Sequence, residues 1–404
     1  MQVPLFRPAV TDADVRRVVA TLRSGWLTSG PRVEELEREF TKLVGSSHAV
    51  ATSSGTAAIH LALAALDVKP GDLVLVPTLT FVGTTDPVRW LGARAVLVDC
   101  DARHLGTSIE SLTETLDAIG RAQPVAGSRP PHGPVRAIVP VHFGGLVGSS
   151  AGVAAIARAR GLVLVDDCAH AVGARSRSPD DGGWRHAGRD ADASCFSFYS
   201  NKPVTTGEGG MTVTDDAALA DRMRRLALHG IEKRPSGASR GYGPSDYRIV
   251  EDGLKCNMSD LAASLGIGQV ERAEELQVAR ASIAMRYHEG LAALGTLELP
   301  EEPDDRRHGW HLYVVRLVEG RWRIDRDRLA RELFERGIET SVHYRPLHRH
   351  PAFASKPEYA GFEFERADMI WPRLLSLPIF PGMSDEEIRA VIEAVGELSE
   401  TFGA

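Results

Sequence analysis

Short β-branched runs alternate with helical periodicity through the first 230 residues, the pattern of βαβ units that feed a parallel sheet. Strands are predicted at 48–51, 73–76, 95–98, 137–141, 162–166 and 211–214, with a half-aromatic strand leading up to residue 199. Two helices precede them. The first has Thr11 as N-cap, Asp12 and Asp14 in its first turn, Val15, Val18, Val19 and Leu22 on one face, and Gly25 as its stop. The second covers 31–44, with Val33, Leu36, Phe40 and Leu43 inward and Gly45 at its end. Between them, residues 25–30 (GWLTSG) form a pocket wall or a packed linker. Loops are expected at 123–134, 175–189 and 233–248, each rich in Gly, Pro, Ser or Arg.

Beyond residue 271 the rhythm changes. A long helix is predicted over 271–294, then a strand at 311–317, a helix at 325–336 and a closing helix at 385–398. We therefore expect a large α/β domain over residues 1–270 and a smaller C-terminal α+β domain over residues 271–404. A length of 404 residues suits two or three folding units at about 100 to 200 residues each.

Charge and cysteine content narrow the partners. A formal net charge of -7 speaks against general binding of nucleic acid. Four cysteines without close pairs fit reduced thiols better than a disulfide framework or a zinc knuckle. No run of about 18 apolar residues and no secretory leader is visible, so the expected location is cytoplasmic and away from membranes.

Three segments carry candidate chemistry. Residues 49–58 (AVATSSGTAA) run from a strand through a small-residue turn into a helix, whose free amides and dipole suit an anion, although simple capping explains the same residues. Residues 162–170 (LVLVDDCAH) end an apolar strand in Asp166 and Asp167, at the strand end where open α/β sheets bind ligands; capping of the next element is the plainer alternative. Lys202 follows another strand and precedes a Gly-rich turn, 205–210 (TTGEGG). A phosphate seat, a strand-end acid and a strand-end lysine together suit pyridoxal phosphate, which has a phosphate, a basic ring nitrogen and an aldehyde. No metal site is expected, since His348 and His350 have no acidic or Cys partner at ligand spacing.

Residues 25–31, 53–58, 77–82, 166–174, 197–210, 342–344 and 375–382 make nearly the whole chain resemble the DegT-type nucleotide-sugar aminotransferases, fold-type I enzymes that use pyridoxal phosphate. It departs from their commoner pattern in having Asp166 for Glu, Cys168 for Ala, and long loops at 123–134 and 175–189. The resemblance implies a mostly parallel seven-stranded sheet between helices. It implies that Lys202 is the catalytic residue, carrying the cofactor as a Schiff base, and that Asp167 pairs with the pyridine nitrogen. Phe81 would stack on one face of the cofactor and His170 would lie at the other. Gly55, Thr56, Ala57 and Ser197 would hold the phosphate, together with Lys255 reaching across from the partner subunit of a homodimer with shared sites.

The implied reaction transfers an amino group from L-glutamate to a nucleotide-linked keto sugar. Residues 205–210, 255–260 (KCNMSD) and 167–170 (DCAH) are more similar to the group acting at sugar C-4 than to the group acting at C-3. The expected substrate is a dTDP-linked 4-keto-6-deoxyhexose. The alternatives are amination at C-3 or of a cyclitol, and, in another class, an inactive cofactor-binding sensor. Thr28, His343 and Arg240 are the candidate substrate contacts, the last in a loop with Lys233, Arg234 and Arg248 that also reads as merely solvated.

Overall fold

The computed structural model describes residues 1–126, 130–232, 247–359 and 361–404. Helix α1 (Asp12–Ser24) opens with a reciprocal capping box between Thr11 and Asp14 and closes on Gly25 at φ 75°. Helix α2 (Pro31–Val44) has proline in its first turn and closes on Gly45. The two bury opposite kinds of face. Val33, Leu36 and Phe40 of α2 are buried, as its pattern predicts. In α1 the apolar stripe faces outward, with Val15 50% and Leu22 51% exposed, while Asp14 and Thr21 are buried. The reason is an ion pair: Arg272 donates to Asp14 at 2.9 Å, and this salt bridge holds the acidic side of α1 against the fold.

The central sheet takes β1 (His48–Thr52), β2 (Leu73–Pro77), β3 (Arg94–Val98), β4 (Val135–Ile138) and β5 (Val163–Asp167). A small hairpin follows, β6 (Arg175–Arg177) and β7 (Trp184–His186), and then β8 (Ala193–Ser197) and β9 (Gly210–Thr214) complete the sheet. The order is β1-β9-β8-β5-β4-β2-β3. Neighbours from β8 through β3 run parallel, and β9 lies antiparallel to both β1 and β8. This is the mostly parallel seven-stranded sheet expected of the fold-type I class.

Both faces of the sheet are covered, which explains the continuous apolar runs of its strands. Val74 and Val76 join Ala58 and Leu61 of α3 (Gly55–Ala65) in one core. Leu73 and Leu75, pointing the other way, pack with Leu112 and Leu116 of α5 (Ile109–Gly120) and Val153 of α6 (Ser150–Arg160). Helix α4 (Asp86–Trp90) is a short turn between β2 and β3, and α7 (Ala217–Leu226) packs beside α3. Leu36 and Phe40 meet Phe196 and Phe198 around β8, together with Ile267 of α8 (Asp260–Glu271).

One further expectation changes. Residues 175–189, expected as a loop, form the β6–β7 hairpin, extended by the two-residue strand Arg306–Arg307. Arg177 and Arg307 lie over the Trp184 ring at 4.1 and 4.8 Å, so Arg177, one of the arginines of the expected loop, packs on an aromatic face. The long helix predicted over 271–294 is found as α9 (Ala273–Leu291), continued by a 3-10 turn at Ala292–Leu294; Arg272 (φ -103°, ψ 11°) separates it from α8, which ends at Glu271.

A second core follows, in which the three-stranded antiparallel sheet Leu297–Glu298, Tyr313–Leu317 and Leu374–Leu377 packs with α9, α10 (Arg326–Glu335) and the closing helix Asp385–Phe402. Val3, bridged to Ile338, is part of this core. We retain 270/271 as the proposed division of the chain, with the first residues lent to the smaller unit.

Candidate functional site

Strands β5 and β8 are parallel neighbours, with Asp167 opposite Cys195, so their carboxyl ends share one edge of the sheet. Asp167 closes β5 there. Beyond β8 the chain turns, the Lys202 amide donating to the Tyr199 carbonyl at 2.9 Å, and the lysine side chain enters the same region. Burial pushes the Lys202 amine down to about 8, against the opposing pull of the Asp167 carboxylate. Asp167 accepts from Thr84 Oγ1 at 2.7 Å and from the Ala169 amide at 3.0 Å. Burial raises its pKa, while those two bonds and the nearby Lys202 favour the carboxylate.

An anion seat lies next to this pair. Ser54 caps α3, accepting from the Ala57 amide at 3.0 Å, and Gly55 and Thr56 are the first residues of the helix, whose amides have no partner within it. Thus Ala57 is engaged by its own cap, and Gly55 and Thr56 present the outward amides. Ser197 adjoins them: a Cβ on Gly55 would lie 2.8 Å from Ser197 Cβ and 3.1 Å from its hydroxyl. A Cβ on Gly83 would meet Thr56 Oγ1 at 2.8 Å and the Phe81 ring at 3.1 Å, which sets Phe81 beside the same helix start. Its ring is 58% exposed and lies 6.0 Å from Tyr344.

Histidines wall the other side. His170 accepts the Gly144 amide at Nδ1 (3.2 Å), which leaves Nε2–H to donate to Tyr344 Oη at 3.0 Å. Burial holds it well below its usual pKa, with the Lys202 charge adding to the effect. His343 bonds Ser376 through Nδ1 at 2.8 Å and is lowered to about 4 by burial and by Lys202. His311 approaches Lys202 directly, Nε2 to Nζ 3.3 Å.

The structure therefore brings Lys202, Asp167, His170 and His343 to one place, with Gly55, Thr56, Ser197 and Phe81 at the adjoining helix start. The segment of Lys255 runs beside the end of β1, the Cys256 carbonyl accepting from the Ser53 amide at 2.7 Å, and Thr28 lies on the loop before α2. Lys255 is exposed and donates to Asn257 Oδ1. Thr28 is exposed, its carbonyl accepting from the Asp260 amide at 3.2 Å. Arg240, with Lys233 and Arg234, falls outside the described residues; Arg248 is exposed and pairs with Glu232 at 3.5 Å.

Sequence reasoning missed Thr84, His311 and the pairing role of Tyr344. A polar residue opening an apolar strand was the available signal for His311; Thr84 gave none. His348 does have an acidic neighbour in space, Asp368 at 2.9 Å, but its other nitrogen bonds Thr78 at 2.7 Å, so both ring nitrogens are engaged. His142, Asp166 and Cys168 also converge. His142 accepts the Gly148 amide at Nδ1 and donates to Asp166 from Nε2, so it has no lone pair left for a metal.

A buried amine, a buried carboxylate and a helix start flanked by hydroxyls fit pyridoxal phosphate in its aldehyde, ring nitrogen and phosphate. Comparisons agree. The model of the DegT/DnrJ/EryC1/StrS aminotransferase family matches residues 8–396. The spore coat polysaccharide biosynthesis protein SpsC of Bacillus subtilis is 38% identical over 397 residues, 98% of this chain and 97% of that protein. The PLP form of the putative sugar aminotransferase Spr1654 from Streptococcus pneumoniae superposes with a TM-score of 0.85 at 29% identity, covering 99% of each chain. The aminotransferase TlmJ from Streptoalloteichus hindustanus gives 0.85 and 29%, again over 99% of each.

Proposed function

Because this chain belongs to the DegT/DnrJ/EryC1/StrS aminotransferase family, a family of pyridoxal-phosphate-dependent sugar aminotransferases, we propose that it moves the amino group of L-glutamate to C-4 of a dTDP-linked 4-keto-6-deoxyhexose. The observation that carries the assignment of roles is the buried Lys202 amine beside the buried Asp167 at the shared edge of β5 and β8. The choice of C-4 is supported by the sequence segments 167–170, 205–210 and 255–260.

When bound, pyridoxal phosphate supplies an aldehyde to which amines add and a ring that draws electrons from the reacting carbon. Asp167, whose carboxylate form is favoured by the bonds from Thr84 and the Ala169 amide, would pair with the ring nitrogen. Gly55, Thr56 and Ser197 seat the phosphate, and Phe81 and His170 bound the two faces of the ring. Lys202 would hold the cofactor through its aldehyde, and its amine, once freed by glutamate, would hold and move the proton at the glutamate α-carbon. With the keto sugar it carries the proton the other way, to C-4. A amine lowered to about 8 is poised for both directions near neutral pH.

In this reading the enzyme is a cytoplasmic homodimer, and the exposed Lys255 completes the phosphate site of the partner subunit. The test is direct. Purified enzyme with glutamate should release 2-oxoglutarate, and NMR of the product made from the dTDP-4-keto sugar should place nitrogen at C-4. Nitrogen at C-3, or reaction with a cyclitol ketone alone, would overturn the substrate assignment. Lys202→Ala should lower turnover by at least about 10²- to 10⁴-fold.

A further inference from the structure

The imidazole of His311 stands 109 residues beyond Lys202 in the chain, yet its Nε2 lies 3.3 Å from Lys202 Nζ. The residue is 4% exposed and its ring packs on His170 with centroids 4.5 Å apart. The backbone around it is fastened on three sides. Leu312 donates to the Gly144 carbonyl at 3.0 Å, Gly309 to the Gly145 carbonyl at 2.7 Å, and the Trp310 carbonyl accepts from the buried Arg280 at 3.2 Å. A ring held this way is a fixed point to which a flexible lysine side chain comes.

We propose that His311 is a positioning residue for the transamination: as a neutral imidazole it accepts a hydrogen bond at Nε2 from Lys202 Nζ, aiming the amine and sustaining its basicity. The inference rests on Lys202 being the reacting amine. An ammonium has three donors and no acceptor, so Nε2 must accept and the ring proton must sit on Nδ1. Nδ1 meets no protein partner among the described residues. A histidine that serves as base is normally steadied by a carboxylate on that nitrogen. Without one, in a buried site facing Lys202, His170, Arg280 and His343, His311 is held well below its ordinary pKa and stays uncharged. It therefore leaves the substrate proton to Lys202 and acts through the amine.

Burial and the Asp167 carboxylate act on Lys202 in opposite directions. A hydrogen bond accepted by His311 adds to the side of Asp167, because it favours the charged form. The test uses the cofactor-free, full-length protein. Lys202 is acetylated with acetic anhydride at a series of pH values and the modified peptide is quantified by mass spectrometry, which gives the midpoint of the amine. The wild-type midpoint should fall near 8. In His311→Phe it should drop by about one pH unit. His311→Gln, whose amide oxygen reaches the Nε2 position, should retain the wild-type midpoint, and His311→Asn, whose shorter amide reaches only the Nδ1 position, should behave like Phe. Equal midpoints in wild type, Phe and Asn would overturn the proposal, as would a Gln variant that drops as far as Asn. Should the Phe variant fail to fold, the comparison of Gln with Asn decides alone. No sugar or cofactor enters this assay, so a wrong substrate assignment leaves it untouched, whereas turnover surviving in Lys202→Ala would remove its premise.

Discussion

At the scale of single residues, Lys202 has a cost that can be measured without any substrate. Its amine is lowered from 10.5 to about 8 in the folded protein, so between those values the unfolded chain holds a proton that the native state has released. Stability therefore rises with pH across that window, and below about 8 the full penalty of burying the charge is present. Lys202→Met has no such dependence. In the cofactor-free protein its stability relative to wild type should be greater at pH 7 than at pH 10, by up to about 3 kcal/mol and by less to the extent that solvent reaches the amine. Urea unfolding at the two pH values checks this; a constant difference would mean that the amine is not depressed. Thr84 makes the complementary prediction. It donates to Asp167 at 2.7 Å, so Thr84→Val removes a bond that favours the carboxylate, and cofactor retention measured by equilibrium dialysis should weaken about ten- to a hundredfold. Asp167 was legible in the sequence because it ends an apolar strand, and Lys202 because it follows one just ahead of a Gly-rich turn. Thr84 was not, since a threonine after a strand is commonplace and only the fold brings it to Asp167.

Among elements, the contact of α3 with β9 and β8 determines the anion seat. A Cβ on Gly210, the first residue of β9, would lie 2.4 Å from the Ser54 carbonyl and 2.7 Å from the Gly55 amide. Neither is the end of a flexible side chain, so Gly210→Ala must displace the first turn of α3. We expect a loss of about 1–3 kcal/mol in urea unfolding and at least tenfold weaker cofactor binding in the same variant. Strand positions were readable because parallel strands buried on both faces form short apolar runs with clear turns between them. Two elements were not. In α1 the apolar stripe pointed to the wrong face, since the deciding interaction is the ion pair of Asp14 with Arg272, 258 residues away. The β6–β7 hairpin looked like loop because its strands are three residues long and are stabilised by Arg–Trp stacking, which leaves no alternating apolar pattern.

For the whole molecule, the shared-site homodimer makes a prediction that a self-contained monomer does not. Lys202→Ala and Lys255→Glu should each be inactive alone. Mixed and allowed to exchange subunits, they should regain activity in about a quarter of the sites, because half the dimers are mixed and each mixed dimer carries one intact site. No recovery after demonstrated exchange would assign Lys255 to its own chain or to no site. The fastening of residues 309–312 to the Gly144–Gly145 turn has a consequence of a different kind, for the order in which the protein is made. All seven strands of the large sheet, with Lys202 and Asp167, are synthesised before His311 and Tyr344 leave the ribosome. A nascent chain can thus fold its sheet early while its reactive amine still lacks the neighbours that enclose it. Capture of the cofactor is thereby deferred until the last quarter of the polypeptide has been translated, so ribosome-bound chains stalled before residue 311 should not take it up.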